Sequence, residues 1–316
     1  MATVIIDRRG TVLSHQSGAL LIRAPESKPK TIPLRMISRL VLHGGSQLDS
    51  GLLPQLAEHG VSLLALPGRG QRRAAFLYGT GHGDAVRRLG QYRLVTDAGS
   101  QLFWAKVIVA LKIGNSCRLL GKALAERPDQ RLALRTACQQ LEVMARQARA
   151  AETLATLRGL EGSAAATFFR AYAALLPPDA EFTGRNRRPP RDPVNAALSL
   201  GYALVHGDAL RALTQAGLDP LLGFLHEPSH NRESLACDLA EVGRSGVERM
   251  VWRLFAERQL RPEMFSRENG AALLRKTARG VFFAAYESMA ERHRRLFARA
   301  ARLLAKACLE AAHEAR

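Results

Sequence analysis

Hydrophobic residues recur in two different patterns along the chain, and the change between them falls near residue 80. Up to about residue 78 they form short runs rich in Val, Ile and Leu, separated by Gly, Pro and Ser turns, which is typical of β-strands. Seven runs have this character: TVIID, TVLSHQ, ALLIRA, KTIPL, SRLVLH, VSLLAL and RAAFLY. One short helix is expected among them, at about 49–59.

From residue 85 onward the hydrophobic residues recur at helical spacing almost throughout. Helices are expected near 85–95, 98–125, 128–149, 151–175, 193–214, 234–242, 245–257 and 285–313. The sequence therefore predicts an α+β protein. A small β-rich domain at 1–78 and a Gly-rich linker at 79–84 precede a larger, all-helical domain at 85–316.

Two of the predicted helices carry an acidic residue inside an apolar stripe. Asp238 interrupts the stripe of Leu235, Leu239 and Val242, and Glu161 interrupts the stripe of Leu154, Leu157, Ala164 and Phe168. A buried carboxylate is costly unless a cation or dense hydrogen bonding compensates it, and pairing with a buried arginine is one solution. Two inward-facing acids and a histidine, His226, instead favour a site for a hard divalent ion such as Mg²⁺ or Mn²⁺.

The segment from His226 to His230 also matches the H-E-x-x-H pattern of zinc proteases. That motif requires both histidines on one turn of a continuous helix. Pro228 stands between them, and proline disfavours helix at the residue before it. The match is therefore interpreted as accidental.

The net charge of +18 indicates a polyanionic partner, most simply nucleic acid, although a generally basic proteome is an alternative source of part of it. The four cysteines are widely spaced, which fits a reducing cytoplasm better than a disulfide framework or a zinc cluster. No run of about 18 uncharged apolar residues suggests a membrane span, and the N-terminus lacks the pattern of a signal peptide. We therefore expect a cytoplasmic protein without a membrane partner.

Two arginine-rich segments are candidates for contact with a phosphate backbone. The first is a Pro-rich loop at 179–193, with Arg185, Arg187, Arg188 and Arg191. The second is the last predicted helix, whose basic residues include Arg292 and Arg295. In both segments the alternative is a solvated, charged surface without a ligand.

Three segments, LRGLEGSAAATFF, NAALSLGYALV and GFLHEPSHNRESLACDLAE, resemble in order and spacing the CRISPR adaptation integrases, the Cas-one family. The resemblance covers essentially the whole chain and includes QYRLV and the KIGN segment. Its most specific part is the Glu of an LxGxEG-like helix, the His after G-F-L and the Asp of SLAxDLxE. These residues are Glu161, His226 and Asp238, and the resemblance implies that they bind a catalytic Mg²⁺ or Mn²⁺.

The same resemblance implies supporting roles for Glu241, Asn195 and Tyr202, as neighbours of the ligands or in positioning DNA. It further implies a homodimer that works with a small companion adaptation protein. The expected reaction is insertion of short foreign DNA fragments (spacers) into the leader-proximal repeat by transesterification, with cleavage of branched or free DNA at the same site. Val242 to Gly246 and Ser199-Leu200 depart from the usual family pattern, which affects the subtype and not the three ligands.

Two other functions fit the same residues. One is a transposon-borne integrase of the same fold, and the other is a non-catalytic DNA-binding or architectural protein in which Glu161 and Asp238 pair with buried arginines. The architectural reading predicts that alanine at either acid lowers stability and spares any cleavage. The integrase reading predicts lost activity, with stability unchanged or higher because buried like charges are removed.

Overall fold

The computed structural model describes residues 2–66, 74–77, 83–186 and 189–313. It divides into two compact units, Met1–Gly83 and Asp84–Arg316. The residues of the predicted linker from 79 to 82 lie outside the described part of the chain.

The described residues of the first unit form two four-stranded sheets and one helix. One sheet has the order β1-β5-β7-β8, parallel except for β8, and the other has the order β4-β3-β2-β6, antiparallel except for the β2–β6 pair. All seven predicted strands are present, and β6 is additional. The elements are β1 (Ala2–Ile6), β2 (Thr11–Gln16), β3 (Ala19–Arg23), β4 (Lys30–Pro33), β5 (Ile37–His43), β6 (Ser46–Leu48), α1 (Leu52–Glu58), β7 (Ser62–Leu66) and β8 (Ala75–Leu77).

The core of this unit collects leucines from both sheets and from α1. Leu13, Leu20, Leu40 and Leu52 are fully buried in one cluster. Strand β5 is buried along most of its length because it lies between two neighbours in its sheet. This explains why its sequence is a continuous apolar run and not an alternating one.

The second unit contains seven of the helices found in the described residues. Asp84, Asp97, Thr153 and Asp192 precede four of them, and each accepts a hydrogen bond from a backbone N–H in the first turn. The elements are α2 (Ala85–Thr96), α3 (Ala98–Glu126), α4 (Arg131–Ala150), α5 (Leu154–Ala173), α6 (Pro193–Gln215), α7 (Ser234–Ala256), β9 (Phe265–Glu268), β10 (Ala271–Leu274) and α8 (Lys276–His313).

The predicted α+β fold, with a β-rich first unit and a helical second unit, is confirmed. The second unit is mostly but not entirely helical, because β9 and β10 form an antiparallel hairpin within it. Their connection is Asn269-Gly270, and both residues have positive φ (50° and 76°). Asn-Gly is the preferred pair for a tight hairpin turn, since both central positions need left-handed backbone. The strands are only four residues long, and this turn is the local signal for them.

The predicted break in the helix near residue 243 is also wrong, because α7 is continuous. The two glycines at this point face α8 at short range. A Cβ at Gly243 would lie 2.6 Å from Phe297 Cζ, and one at Gly246 would lie 2.3 Å from His293 Cε1. These glycines therefore allow close helix packing, which offsets their cost of about 1 kcal/mol each in a helix interior.

Helix α6 is buried along most of its surface, as is typical of a central helix surrounded by others. Helices α5 and α7 carry the two apolar stripes that Glu161 and Asp238 interrupt.

Within the described residues no single helix is long and apolar enough to span a membrane. One pair bent by 91°, Ala85–Thr96 with Ala98–Glu126, meets the length and composition criteria jointly.

Candidate active site

Asp238 lies in the second turn of α7 and is fully buried. Its Oδ2 accepts hydrogen bonds from the backbone N–H groups of Phe224 (2.7 Å) and Leu225 (3.0 Å). Its Oδ1 accepts one from the N–H of His226 (3.0 Å) and lies 2.6 Å from Nδ1 of the same residue. Backbone N–H groups and an imidazole, and not a buried arginine, therefore compensate the removal of this carboxylate from water.

The turn that supplies these N–H groups depends on Gly223. A Cβ at this position would lie 2.6 Å from the carbonyl oxygen of His226 and 2.7 Å from the carbonyl carbon of Ser234. Only glycine allows the chain to fold this closely over the start of α7. Residues 221–233 contain no helix, so His226 and His230 do not share a helical turn as a zinc protease motif requires.

Glu161 lies on α5 with its carboxylate in an ion pair with Lys112 of α3. The same ammonium lies 2.7 Å from Oε2 of Glu241, and Oε1 of Glu241 lies 2.8 Å from Arg244 Nη1. Burial alone would raise the pKa of Glu241, but attraction to Arg244 and Lys112 holds it below its ordinary value. The site therefore contains two carboxylates joined through one lysine.

Arg158 ties α5 to the loop that carries His226. It lies about one turn before Glu161 on the helix. Its Nε donates to the carbonyl oxygen of Leu225 (2.8 Å), and its Nη1 donates to Glu227 Oε1 (2.6 Å). This contact brings the loop alongside the helix that presents Glu161.

The three predicted metal ligands thus lie on neighbouring segments but do not converge on one point. Glu161 is held by Lys112, and Asp238 is held by His226 and the backbone. Glu241 lies one turn beyond Asp238, close enough for His226 to lower its pKa. Across the part of the chain that the structure describes, no three His, Cys, Asp or Glu side chains are grouped closely enough to hold a metal ion.

A cavity of about 180 Å³ lies beside Glu161 and Glu241. Tyr202 donates a hydrogen bond to Glu248 Oε1 (2.7 Å) at its wall. The Tyr202 ring faces two guanidinium groups, those of Arg185 (5.2 Å) and Arg244 (4.9 Å). The polar residues that line the cavity are Lys112, Ser116, Glu161, Arg185, Tyr202, Glu241, Arg244, Ser245 and Glu248.

The two acids of α7 that face this cavity have pKa values shifted in opposite directions, although burial acts on both. Burial raises the pKa of Glu248, and the hydrogen bond from Tyr202 and the charges of Lys112 and Arg244 do not fully reverse this effect. Burial and the nearby Glu248 also raise the pKa of the Tyr202 hydroxyl well above its ordinary value. Glu241 is therefore the more readily ionised of the two, and Glu248 the more readily protonated.

Asn195 fixes the backbone that leads to Arg185. Its Oδ1 accepts hydrogen bonds from Arg185 Nη1 (2.6 Å) and from the N–H of Asn186 (3.0 Å), and its Nδ2 donates to Gly184 O (2.8 Å). Arg185 also donates to Ser199 Oγ (3.0 Å). These bonds hold Arg185 at the cavity wall, within the Pro-rich loop that the sequence offered as a candidate for phosphate contact.

The other predicted DNA-contacting arginines differ in their surroundings. Arg191, Arg292 and Arg295 are exposed, and Arg295 forms only a loose ion pair with Glu291 (3.5 Å). Arg187 and Arg188 lie outside the described residues.

Sequence reasoning missed Lys112, Arg244 and Glu248 as members of the site. Asp238, Glu241 and Glu248 lie on the same face of α7, at successive helical spacings of three and seven residues. The signal was present in the sequence, but the predicted break at 243–244 concealed it.

Taken together, the two units define an α+β protein whose mostly helical second unit encloses a polar cavity and a cluster of buried acids. The family model for CRISPR associated protein Cas1 matches residues 4–288. The CRISPR-associated endonuclease Cas1 1 of Thermodesulfovibrio yellowstonii is 34% identical over 306 residues, covering 94% of this chain and 94% of that protein. The chain belongs to the Cas1 family, which confirms the resemblance seen in the sequence.

Several solved structures share the fold, although their sequences are less similar to this chain than that of the relative above. A CAS1 protein from Thermotoga maritima superposes with a TM-score of 0.86 at 22% identity, covering 97% of each chain. A casposase bound to an integration product gives a TM-score of 0.84 at 20% identity, covering 98% of this chain and 91% of that one. A Cas6-RT-Cas1–Cas2 complex gives a TM-score of 0.80 at 23% identity, covering 97% of this chain and 35% of the matched one.

Proposed function

We propose that this protein is a metal-dependent DNA endonuclease and integrase that inserts short foreign DNA fragments into a CRISPR array by transesterification. The observation that carries the proposal is that Glu161, which lines the polar cavity, lies on a segment neighbouring the one that holds His226 and Asp238 together. Support comes from relatives described as CRISPR-associated endonucleases and from a structural neighbour bound to an integration product. The net charge of +18 supports a nucleic acid as substrate.

Glu161, His226 and Asp238 would hold Mg²⁺ or Mn²⁺ in this proposal. Carboxylate oxygens and an imidazole are suitable ligands for these ions, and the cluster already accommodates a cation, Lys112, between two carboxylates. When bound, such an ion makes an attacking hydroxyl more acidic and neutralises charge that develops on the phosphate.

The residues around the cavity would position the DNA. Arg185 and Arg244 are both held against the Tyr202 ring and would present positive charge to a phosphate. Arg191, Arg292 and Arg295 are exposed and would contact the backbone farther from the reacting bond. Because phosphate contacts carry little sequence information, recognition of the repeat would rest on DNA shape and on the partner proteins.

We further propose a homodimer, formed through the N-terminal β-rich unit, that acts with a small companion adaptation protein. The companion is supported by the neighbour found in a Cas1–Cas2 complex. The DNA partners would be the spacer precursor and the leader-repeat junction.

The test is transfer of a labelled short duplex into a supercoiled plasmid that carries the repeat, with and without the companion protein. Mg²⁺, Mn²⁺ and EDTA are compared for the wild type, Glu161→Gln and Asp238→Asn. Glu152→Gln is the control, because Glu152 is an exposed acid shortly before α5. Metal-dependent product that both site variants lose supports the proposal, whereas unchanged product in either variant contradicts the assignment of that residue.

A non-catalytic, architectural DNA-binding protein is the second candidate. Its favouring observation is that Glu161 and Asp238 both have internal partners, Lys112 and the 224–226 turn. This function predicts salt-sensitive DNA binding with no metal-dependent product in any variant. A transposon-borne integrase of the same fold would perform the same chemistry, and the neighbouring genes would distinguish it.

A further inference from the structure

The ammonium group of Lys112 joins the two carboxylates that line the cavity. Its Nζ contacts Oε1 of Glu161 and lies 2.7 Å from Oε2 of Glu241. The Lys112 side chain is only 15% exposed, so its charge is largely removed from bulk water. It therefore acts on these two carboxylates with little screening by solvent.

The contact between Lys112 and Glu241 has the character of a charge pair. Glu241 is 3% exposed, and its Oε2 lies 2.7 Å from the Lys112 ammonium, whose positive charge helps to hold the pKa of Glu241 below its ordinary value after the larger effects of burial and Arg244. This oxygen is buried at the cavity wall and keeps its capacity for a cation or a directed donor. At this point of the cavity wall an organic cation and a buried carboxylate oxygen thus lie in direct contact.

We propose that Lys112 is the resident counter-cation of the site, and that a divalent ion bound at Glu161 competes with it. The inference rests on the proposed function, because it takes Glu161 as a metal ligand. Lys112 is then a positioning residue: it keeps the Glu161 carboxylate beside Glu241 until the ion arrives, and its charge weakens the binding of that ion.

The expected effects follow from the balance of charges. In the protein without metal, Lys112 and Arg244 balance the charges of Glu161 and Glu241. Replacing Lys112 with methionine keeps much of its volume and removes its charge, so two carboxylates would face one another with one cation fewer. The metal-free protein should become less stable, and a divalent ion should bind more tightly because nothing competes with it.

The experiment measures Mn²⁺ binding directly, from the electron paramagnetic resonance signal of the free ion titrated into full-length protein. Wild type is compared with Lys112→Met, Lys112→Arg and Lys122→Met. Lys122 is the matched control, because it lies on the same helix and is exposed. Asp238→Asn identifies the binding that belongs to the proposed site, and thermal unfolding with and without Mn²⁺ is recorded for every variant.

Binding about tenfold tighter in Lys112→Met, corresponding to about 1.4 kcal/mol, would support the inference. Lys122→Met and Lys112→Arg should bind as the wild type does, and Mn²⁺ should raise the melting temperature most in Lys112→Met. If Lys112→Met does not fold without the ion, Lys112→Gln, which keeps a hydrogen-bond donor, takes its place.

Two results overturn the inference in different ways. Equal or weaker Mn²⁺ binding in the neutral Lys112 variants, with binding still lost in Asp238→Asn, would refute competition and leave the proposed metal site intact. No Mn²⁺ binding by the wild type or by the neutral variants would refute the metal site and the competition together.

Discussion

Replacing Asp238 with alanine should strongly destabilise the protein, independently of any effect on activity. The carboxylate accepts hydrogen bonds from three successive backbone N–H groups, those of Phe224, Leu225 and His226. The first two are in fully buried surroundings, and the third is partly buried. Alanine would leave all three without an acceptor.

The size of the destabilisation follows from how deeply the three N–H groups are buried. A buried donor without a partner costs about 1–3 kcal/mol. Two fully buried groups and one partly buried group therefore give a loss of about 3–6 kcal/mol in the free energy of unfolding. That is a large share of the roughly 5–15 kcal/mol available to a typical domain. Asp238→Asn keeps one oxygen acceptor and should cost about half as much.

The assay is urea unfolding followed by circular dichroism at pH 7, with the unfolding midpoint and slope fitted for each variant. Glu152→Ala serves as the control, because a surface substitution should stay within about 0.5 kcal/mol of the wild type. A loss below about 1 kcal/mol in Asp238→Ala, with an unchanged slope, would refute the argument that this carboxylate holds the turn.

Three further predictions concern other parts of the chain. Gly90→Ala should cost several kcal/mol in urea unfolding, because its Cβ would lie 1.7 Å from the carbonyl oxygen of Cys308; a near-neutral result would contradict the close packing of α2 on α8. Glu248→Gln should be more stable than the wild type at pH 8 but not at pH 4. A buried acid whose pKa is raised in the folded state loses stability as the pH rises above its unfolded value, so an equal difference at both pH values would contradict that assignment. Replacing Arg292 and Arg295 together with glutamine should reduce the slope of log K against log salt for duplex DNA by about 2, and a slope unchanged from that of wild type would exclude both as phosphate contacts.

The fold class and most elements were predictable because hydrophobic periodicity is local information. The strands of the first unit are bounded by turns, and α2 to α6 begin close to where the helical spacing of apolar residues indicated. The errors have physical causes. Gly243 and Gly246 are poor helix formers, and only packing against α8 keeps them helical. The four-residue strands β9 and β10 are too short for a periodic signal, and the Asn269-Gly270 turn alone indicated them.

The sequence predicted Glu161 and Asp238 as site residues, because each interrupts an apolar stripe, but it did not predict their partners. Lys112 lies 49 residues before Glu161, and its contact depends on how α3 packs against α5. The donors to Asp238 are backbone N–H groups. Because residues of many types can supply such a group, the sequence does not reveal which ones bind this carboxylate. For this reason the integrase reading of the sequence expected alanine at Asp238 to leave stability unchanged or higher, whereas the hydrogen bonds that Asp238 accepts predict a loss.

The three buried acids along α7 lie in different environments. Asp238 is bound by the backbone, Glu241 is flanked by two cations that lower its pKa, and Glu248 is buried against Tyr202 with a raised pKa. When environments separate the pKa values of neighbouring acids, the acids are suited to different tasks. A cation that enters the cavity would meet an ionised carboxylate at Glu241 and a more readily protonated one at Glu248. The attraction for a cation is therefore concentrated at Glu241, where Lys112 already lies, and this is the place at which we propose that a divalent ion competes with the lysine.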